Sequence, residues 1–137
     1  MNINDIRLES DILFYLGGKL NNFCELINKI FNTTNIEFVG TEFDINKYFM
    51  HKKRKYTRGG RVDIMFSNDK MIVPVELKYN ASIDGYYQIR RYIDMIKSNT
   101  NREVNGILLC KYATKTLKKF DIDDDILVFE LYTGEVW

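Results

Sequence analysis

The stretch at residues 104–112, centred on Ile107-Leu108-Leu109-Cys110, is apolar at successive positions rather than at alternate ones. A strand of that kind is covered on both faces, which is the position of a central strand in a sheet with helices packed on either side. The rest of the chain must supply those covers. Helical spacing appears from an Asn4 or Asp5 cap to about residue 16, ended by Gly17-Gly18, and again at Phe23, Leu26, Ile27, Ile30 and Phe31. A third helix, capped by Asp84 and running to about residue 98, places Ile89, Ile93 and Ile96 on its inner face. A short fourth one at 114–120 carries Lys115, Lys118 and Lys119. Strand patterns fall at 36–45, 61–66, 71–79 and 126–132, and residues 47–60 read as a polar loop. The predicted order is ααβββαβαβ, and 137 residues suit one domain, 1–137.

Composition narrows the function classes. With 45% hydrophobic residues a packed core is expected, and disorder and coiled coil are excluded. Two cysteines and one histidine cannot build a structural zinc or iron–sulfur site, so Cys24 and Cys110 are expected as small buried groups in a reducing compartment. No run of about 18 apolar residues is present to span a membrane, and the first eleven residues carry three acids rather than a basic, then apolar, leader; a cytoplasmic protein is expected. The net charge of +1 hides a polar layout. Seven cations, Lys47, Lys52, Lys53, Arg54, Lys55, Arg58 and Arg61, lie in a stretch without an acid, interleaved with Tyr48, Phe49 and Tyr56. That pattern suits an arm gripping phosphates or stacking bases, with a solvated loop as the alternative. Four of the acids sit at Asp121, Asp123, Asp124 and Asp125, which read as a solvated turn.

The chemistry concentrates in the hairpin Gly60-Arg-Val-Asp-Ile-Met-Phe66 and Val73-Pro-Val-Glu-Leu-Lys78. Alternate side chains of a strand share a face, so Glu76 and Lys78 point one way while Val73, Val75 and Leu77 point the other. A turn centred on Asn68-Asp69 would pair Phe66 with Met71 and Asp63 with Pro74, leaving Asp63 diagonal to Glu76 on the same face. Diagonal neighbours lie roughly 7–8 Å apart at their backbones, close enough for two carboxylates to share a divalent cation. The plainer alternative is an exposed strand face on which Glu76 and Lys78 form a surface ion pair. Glu9 shares a helical stripe with Ile12, Leu13 and Leu16, so it falls on or beside the buried face, or else bonds locally to Arg7; Asp5 and Asp11 are rivals. Gln88 and Tyr92, four residues apart, share one helix face with Arg91 beside them.

With Asp63 as first acid and Glu76-Leu77-Lys78 as second acid and lysine, the sequence resembles the PD-(D/E)xK nuclease superfamily. Gly60-Arg-Val-Asp63, Glu9 upstream and Gln88-x-x-x-Tyr92 downstream are most similar to the C-terminal nuclease domain of NucS-type endonucleases. Val62 stands where many members of the superfamily have Pro. The length leaves no room for the N-terminal DNA-binding domain of NucS-type enzymes, so the substrate preference does not carry over. The resemblance implies an α/β, restriction-endonuclease-like core, a mixed central β-sheet flanked by α-helices. It implies a metal-dependent DNA endonuclease in which Asp63, Glu76 and the Leu77 backbone carbonyl hold Mg²⁺ or Mn²⁺, with Glu9 adding a direct or water-mediated contact. Lys78 and Gln88 would act on the attacking water and the developing charge, and Lys52, Lys53, Arg54, Lys55, Arg58, Arg61 and Tyr92 would contact DNA. Two other readings are carried: a dimeric Holliday-junction resolvase-like nuclease, and a catalytically silent nucleic-acid-binding or interaction module of the same fold.

Overall fold

The computed structural model describes residues 1–49 and 60–137. After a single 3-10 turn at Ile3–Asp5 come α1 (Glu9–Gly17), α2 (Leu20–Ile30), β1 (Glu37–Asp44), α3 (Ile45–Phe49), β2 (Arg61–Ser67) and β3 (Met71–Ala81). They are followed by α4 (Ile83–Lys97), β4 (Glu103–Val104), β5 (Gly106–Ala113), α5 (Lys115–Lys119) and β6 (Ile126–Glu130). The strands form one mixed sheet in the order β1-β2-β3-β5-β6, with β4 pairing beside the start of β3. β2 runs antiparallel to both β1 and β3, whereas β3, β5 and β6 are parallel, as expected where helices make the crossovers.

Each face of the sheet carries its own apolar cluster. Ile12, Leu16, Phe23 and Ile27 of α1 and α2 close over Val73, Val75, Leu77, Ile107 and Leu109. Ile89, Ile93 and Ile96 of α4 and Leu117 of α5 close over Ile72, Leu108, Cys110 and Val128 on the other face. Each fully buried Ile or Leu contributes roughly 1.5–3 kcal/mol, and β5 feeds both clusters through alternate residues. Ile107, Leu108 and Leu109 are therefore core. Cys110 is buried and Cys24 partly buried, and both are free thiols. Among the described residues no helix is long and apolar enough to cross a membrane.

Several boundaries differ from the sequence reading, each for a local reason. The first helix begins at Glu9 rather than near residue 5, because Asp5 accepts the Asn2 N–H (2.9 Å) and Asp11 accepts those of Arg7 (2.8 Å) and Leu8 (3.0 Å). Those bonds satisfy the donors that an earlier helix start would have used. The stretch after β1 opens as helix α3, with the Asp44 carboxylate accepting the Lys47 N–H (3.3 Å). Asp84 is not the cap of α4 but lies in its first turn, after Ser82. There its charge complements the helix dipole. The run at 104–112 is divided at Asn105, whose N–H donates to the Ile72 carbonyl (3.1 Å), so that β4 and β5 are separate strands. The acidic turn is solvated at Asp121, Asp123 and Asp124, but Asp125 is partly buried and two of its acids are paired. Arg90 grips Asp125 in two bonds (2.6 and 2.8 Å) and Asp123 in one (3.2 Å), and Lys97 adds a third bond to Asp125 (2.7 Å). The Arg90 bonds, outweighing burial, hold the Asp125 carboxyl down at about 2.

Candidate active site

The strand parity expected from the sequence holds: Val73, Val75 and Leu77 enter the cluster under α1 and α2, and Glu76 and Lys78 take the opposite face. The pairing is shifted by two residues from the expected one. Phe66 lies opposite Val73, Met65 opposite Pro74 and Ile64 opposite Val75, so the same count puts Asp63 across from Glu76 rather than diagonal to it. The cause is Asn68. Its side-chain oxygen accepts the N–H groups of Lys70 (2.8 Å) and Met71 (2.7 Å), while its own N–H donates to the Met71 carbonyl (2.9 Å), so the turn centres on Asp69-Lys70, one residue later than expected. Parity survives a shift of two, and the carboxylates come closer than predicted.

Where the β2–β3 ladder stops, a side chain takes over. Asp63 Oδ2 accepts the Leu77 N–H at 2.8 Å. The N–H and C=O of one strand residue face the same neighbour, so the Leu77 carbonyl is also turned toward the Asp63 side. Glu76 is 3% exposed, which rules out a solvated strand face with a surface Glu76–Lys78 pair. Burial, then a hydrogen bond with Asp63 and the Asp63 charge, push the Glu76 carboxyl up to about 9, against a partial offset from Lys78. Its Oε2 atom is buried and has no hydrogen-bond partner. Two carboxylates and a carbonyl with one oxygen unsatisfied are the hard oxygen set that a divalent cation takes, so these residues fit Mg²⁺ or Mn²⁺. Among the described residues no three His, Cys, Asp or Glu side chains gather into a metal cluster.

Glu9, the first residue of α1, lies at the exposed end of the stripe that Ile12 and Leu16 bury; it is half exposed and faces Lys78, Oε1 to Nζ 4.0 Å. Its partner is thus the site lysine, not Arg7, and Asp5 and Asp11 serve as caps. The placement of α1 traces to a residue the sequence reading passed over. Lys111, 5% exposed on β5, donates to the Ile6 carbonyl at 2.6 Å and stands over the rings of Tyr79 (5.6 Å) and Tyr112 (5.1 Å). It pins the chain three residues before Glu9. The legible signal was a lone lysine inside an otherwise apolar strand.

On the other side, α4 reaches the site through Gly85, where a Cβ would lie 3.5 Å from Lys78 Cγ. One turn on, Gln88 donates to the Tyr92 hydroxyl at 2.9 Å. Tyr92 does not offer itself to a nucleic acid, contrary to the expectation. It is 5% exposed, its ring touches the space beside Gly60, and the Arg91 guanidinium covers it at 4.9 Å. Its place is to hold Gln88. Of the expected DNA contacts, Arg61 is exposed at the start of β2, while Lys52, Lys53, Arg54, Lys55 and Arg58 lie outside the described residues.

Comparison with known proteins gives the family and the fold. Residues 32–133 match the family described as the endonuclease NucS C-terminal domain. That span holds Asp63, Glu76, Lys78, Gln88 and Tyr92, and leaves Glu9 outside. Among solved structures, the chain resembles a repair endonuclease from Pyrococcus abyssi with a TM-score of 0.53 and 21% identity, over 83% of this chain and 46% of that one. An EndoMS–dsDNA2 complex matches with a TM-score of 0.46 and 19% identity, over 78% of this chain and 44% of that one. The chain therefore spans about half the length of these structures. No curated protein matches. The α/β core with a mixed six-stranded sheet is the fold shared with the repair endonuclease, and by its sequence the chain belongs to the family of the endonuclease NucS C-terminal domain.

Proposed function

We propose that this domain is a divalent-metal-dependent DNA endonuclease that hydrolyses phosphodiester bonds at Asp63, Glu76 and Lys78. The observation that carries the reading is Glu76, a buried acid facing a second acid with one oxygen unsatisfied and a lysine two residues on. Clustered carboxylates raise the energy of a fold unless a proton or a cation neutralises them. Membership of the NucS C-terminal domain family supports the same reading.

Asp63, Glu76 and the Leu77 carbonyl would hold Mg²⁺ or Mn²⁺, and Glu9 is near enough to Lys78 to act through a water. When bound, the cation supplies charge neutralisation at the phosphate and makes water more acidic. Lys78, one of its faces open to solvent, stands where negative charge builds on the phosphate and can hydrogen-bond the attacking water. Glu9 keeps the ammonium from swinging onto the two ligands. Tyr92 fixes the Gln88 amide, which helps orient the water. One such site cuts one strand, so cutting both strands of a duplex would take two copies of the chain.

The test is incubation of labelled single-stranded, duplex, mismatched and four-way-junction DNA with Mg²⁺ or Mn²⁺, comparing the native chain with Glu76→Gln and Lys78→Met. Cleavage that needs the cation and both side chains supports the proposal. Symmetric cutting confined to four-way junctions would select the resolvase-like alternative. Salt-sensitive binding with no cleavage under either metal would select the silent module.

A further inference from the structure

Asp84, Tyr87, Gln88 and Arg91 recur at offsets of three, four and seven, so they form one stripe along α4. They line a hollow of about 470 Å³ on its outer side. This stripe begins beside the site, since Gly85 in the same first turn packs on Lys78 Cγ. Two of its side chains suit a nucleic acid. Tyr87 is 55% exposed, yet its ring is held edge-on by Tyr86 (5.7 Å) and Phe120 (6.1 Å), leaving a braced aromatic surface in solvent. Arg91 lines the hollow, is laid over the Tyr92 ring at 4.9 Å and donates to Met95 Sδ at 3.4 Å.

We infer that this stripe is a nucleotide subsite next to the bond that is cut, with Tyr87 stacking on a nucleobase and Arg91 binding a backbone phosphate; the inference rests on the nuclease reading above. An aromatic surface is indifferent to which base it meets, and a planar guanidinium matches phosphate oxygens in pairs. The charge order fits a strand laid along the helix. Asp84 and Arg91 are seven residues apart, about 10 Å at the helical rise, the reach from a phosphate to the far edge of its base. The phosphate falls at the Arg91 end, away from the carboxylate, and Asp84 can accept from an exocyclic amine of the base. The described side chains that line the hollow all belong to α4.

The experiment is binding of a short fluorescent single strand of DNA to the full chain without added divalent metal, across a salt series. Tyr87→Ala should weaken binding about tenfold, with Tyr87→Phe binding as the native chain does. Arg91→Ala should weaken it and lower the slope of log affinity against log salt by about one. Strands with one abasic position, moved along the sequence, should bind the native chain more weakly at one place and bind Tyr87→Ala no worse than an intact strand. If the native chain binds the strand and both alanine variants bind it equally well with the same salt slope, the subsite is wrong while the nuclease reading stands. If the native chain binds no single strand, the subsite is wrong, and the nuclease reading is decided separately by the cleavage assay with duplex and junction DNA.

Discussion

Two glutamates are buried among the described residues, Glu76 at 3% and Glu130 at 2% exposed, and their surroundings oppose each other. Glu130, at the end of β6, accepts the Ala113 N–H (2.6 Å), the Thr133 hydroxyl (2.6 Å) and the Lys118 ammonium (3.0 Å). Burial works to raise its pKa, but the Thr133, Ala113 and Lys118 donors outweigh it and hold the group below the usual carboxylate range. Glu76 has an acid for a neighbour, one bare oxygen and a carboxyl raised to about 9. A buried charge that the protein satisfies fully is a structural element; one left short of a partner is a place for something the chain does not itself contain. The same contrast separates Asp123 and Asp125 of the acidic turn, which Arg90 and Lys97 neutralise, from the Asp63–Glu76 pair.

Substitution of the two glutamates should break that symmetry most sharply. Glu76→Gln is expected to lower the DNA cleavage rate at least about a hundredfold, as does loss of a group acting on the reaction's charge. Its thermal midpoint should not fall, because the amide replaces an acid that is already protonated. Lys78→Met should lose cleavage to a similar degree while retaining DNA binding. Glu130→Gln should do the reverse: cleavage within a few-fold of native, but a stability loss of about 1–3 kcal/mol by denaturant unfolding, since three donors lose a charged acceptor.

The pH dependence of stability separates the pair next. With its pKa raised in the folded state, Glu76 keeps a proton that the unfolded chain has lost, so in chelator the native state should weaken as pH rises from about 4.5 to about 9. The slope is at most about 1.4 kcal/mol per pH unit. Glu76→Gln should flatten it. Glu130 works in the other direction: its lowered pKa gives stability present above its unfolded value and lost in acid as pH falls through the folded one. Least of all, Asp94→Asn should cost only about 0.3–0.5 kcal/mol, because its pair with Arg90 is an exposed one four residues along α4.

Much of the site could be read in the sequence because strand parity is a local property. Asp63, Glu76 and Lys78 share a face whichever even shift the turn adopts, so the error of two residues at Asn68 did not disturb the grouping. Likewise the run around Ile107–Cys110 forced a covered central strand. What the sequence hid depends on distant partners. The grip of Arg90 on Asp123 and Asp125 joins residues 33 and 35 positions apart, and no pattern in a charged turn reveals it. The burial of Tyr92 depends on Gly60, 32 positions upstream, leaving room for its ring. Glu9 could be set on or beside the buried stripe by its offsets, but its partner Lys78 is 69 positions away and no local pattern names it.

The most direct measurement is calorimetric titration of Mn²⁺ into the native chain and into Glu76→Gln at pH 8, without nucleic acid. If Asp63, Glu76 and the Leu77 carbonyl hold the cation, the native chain binds it with release of the Glu76 proton, and Glu76→Gln shows little binding and no such release. Equal binding by both proteins, or none by the native chain, would contradict a cation site at Glu76.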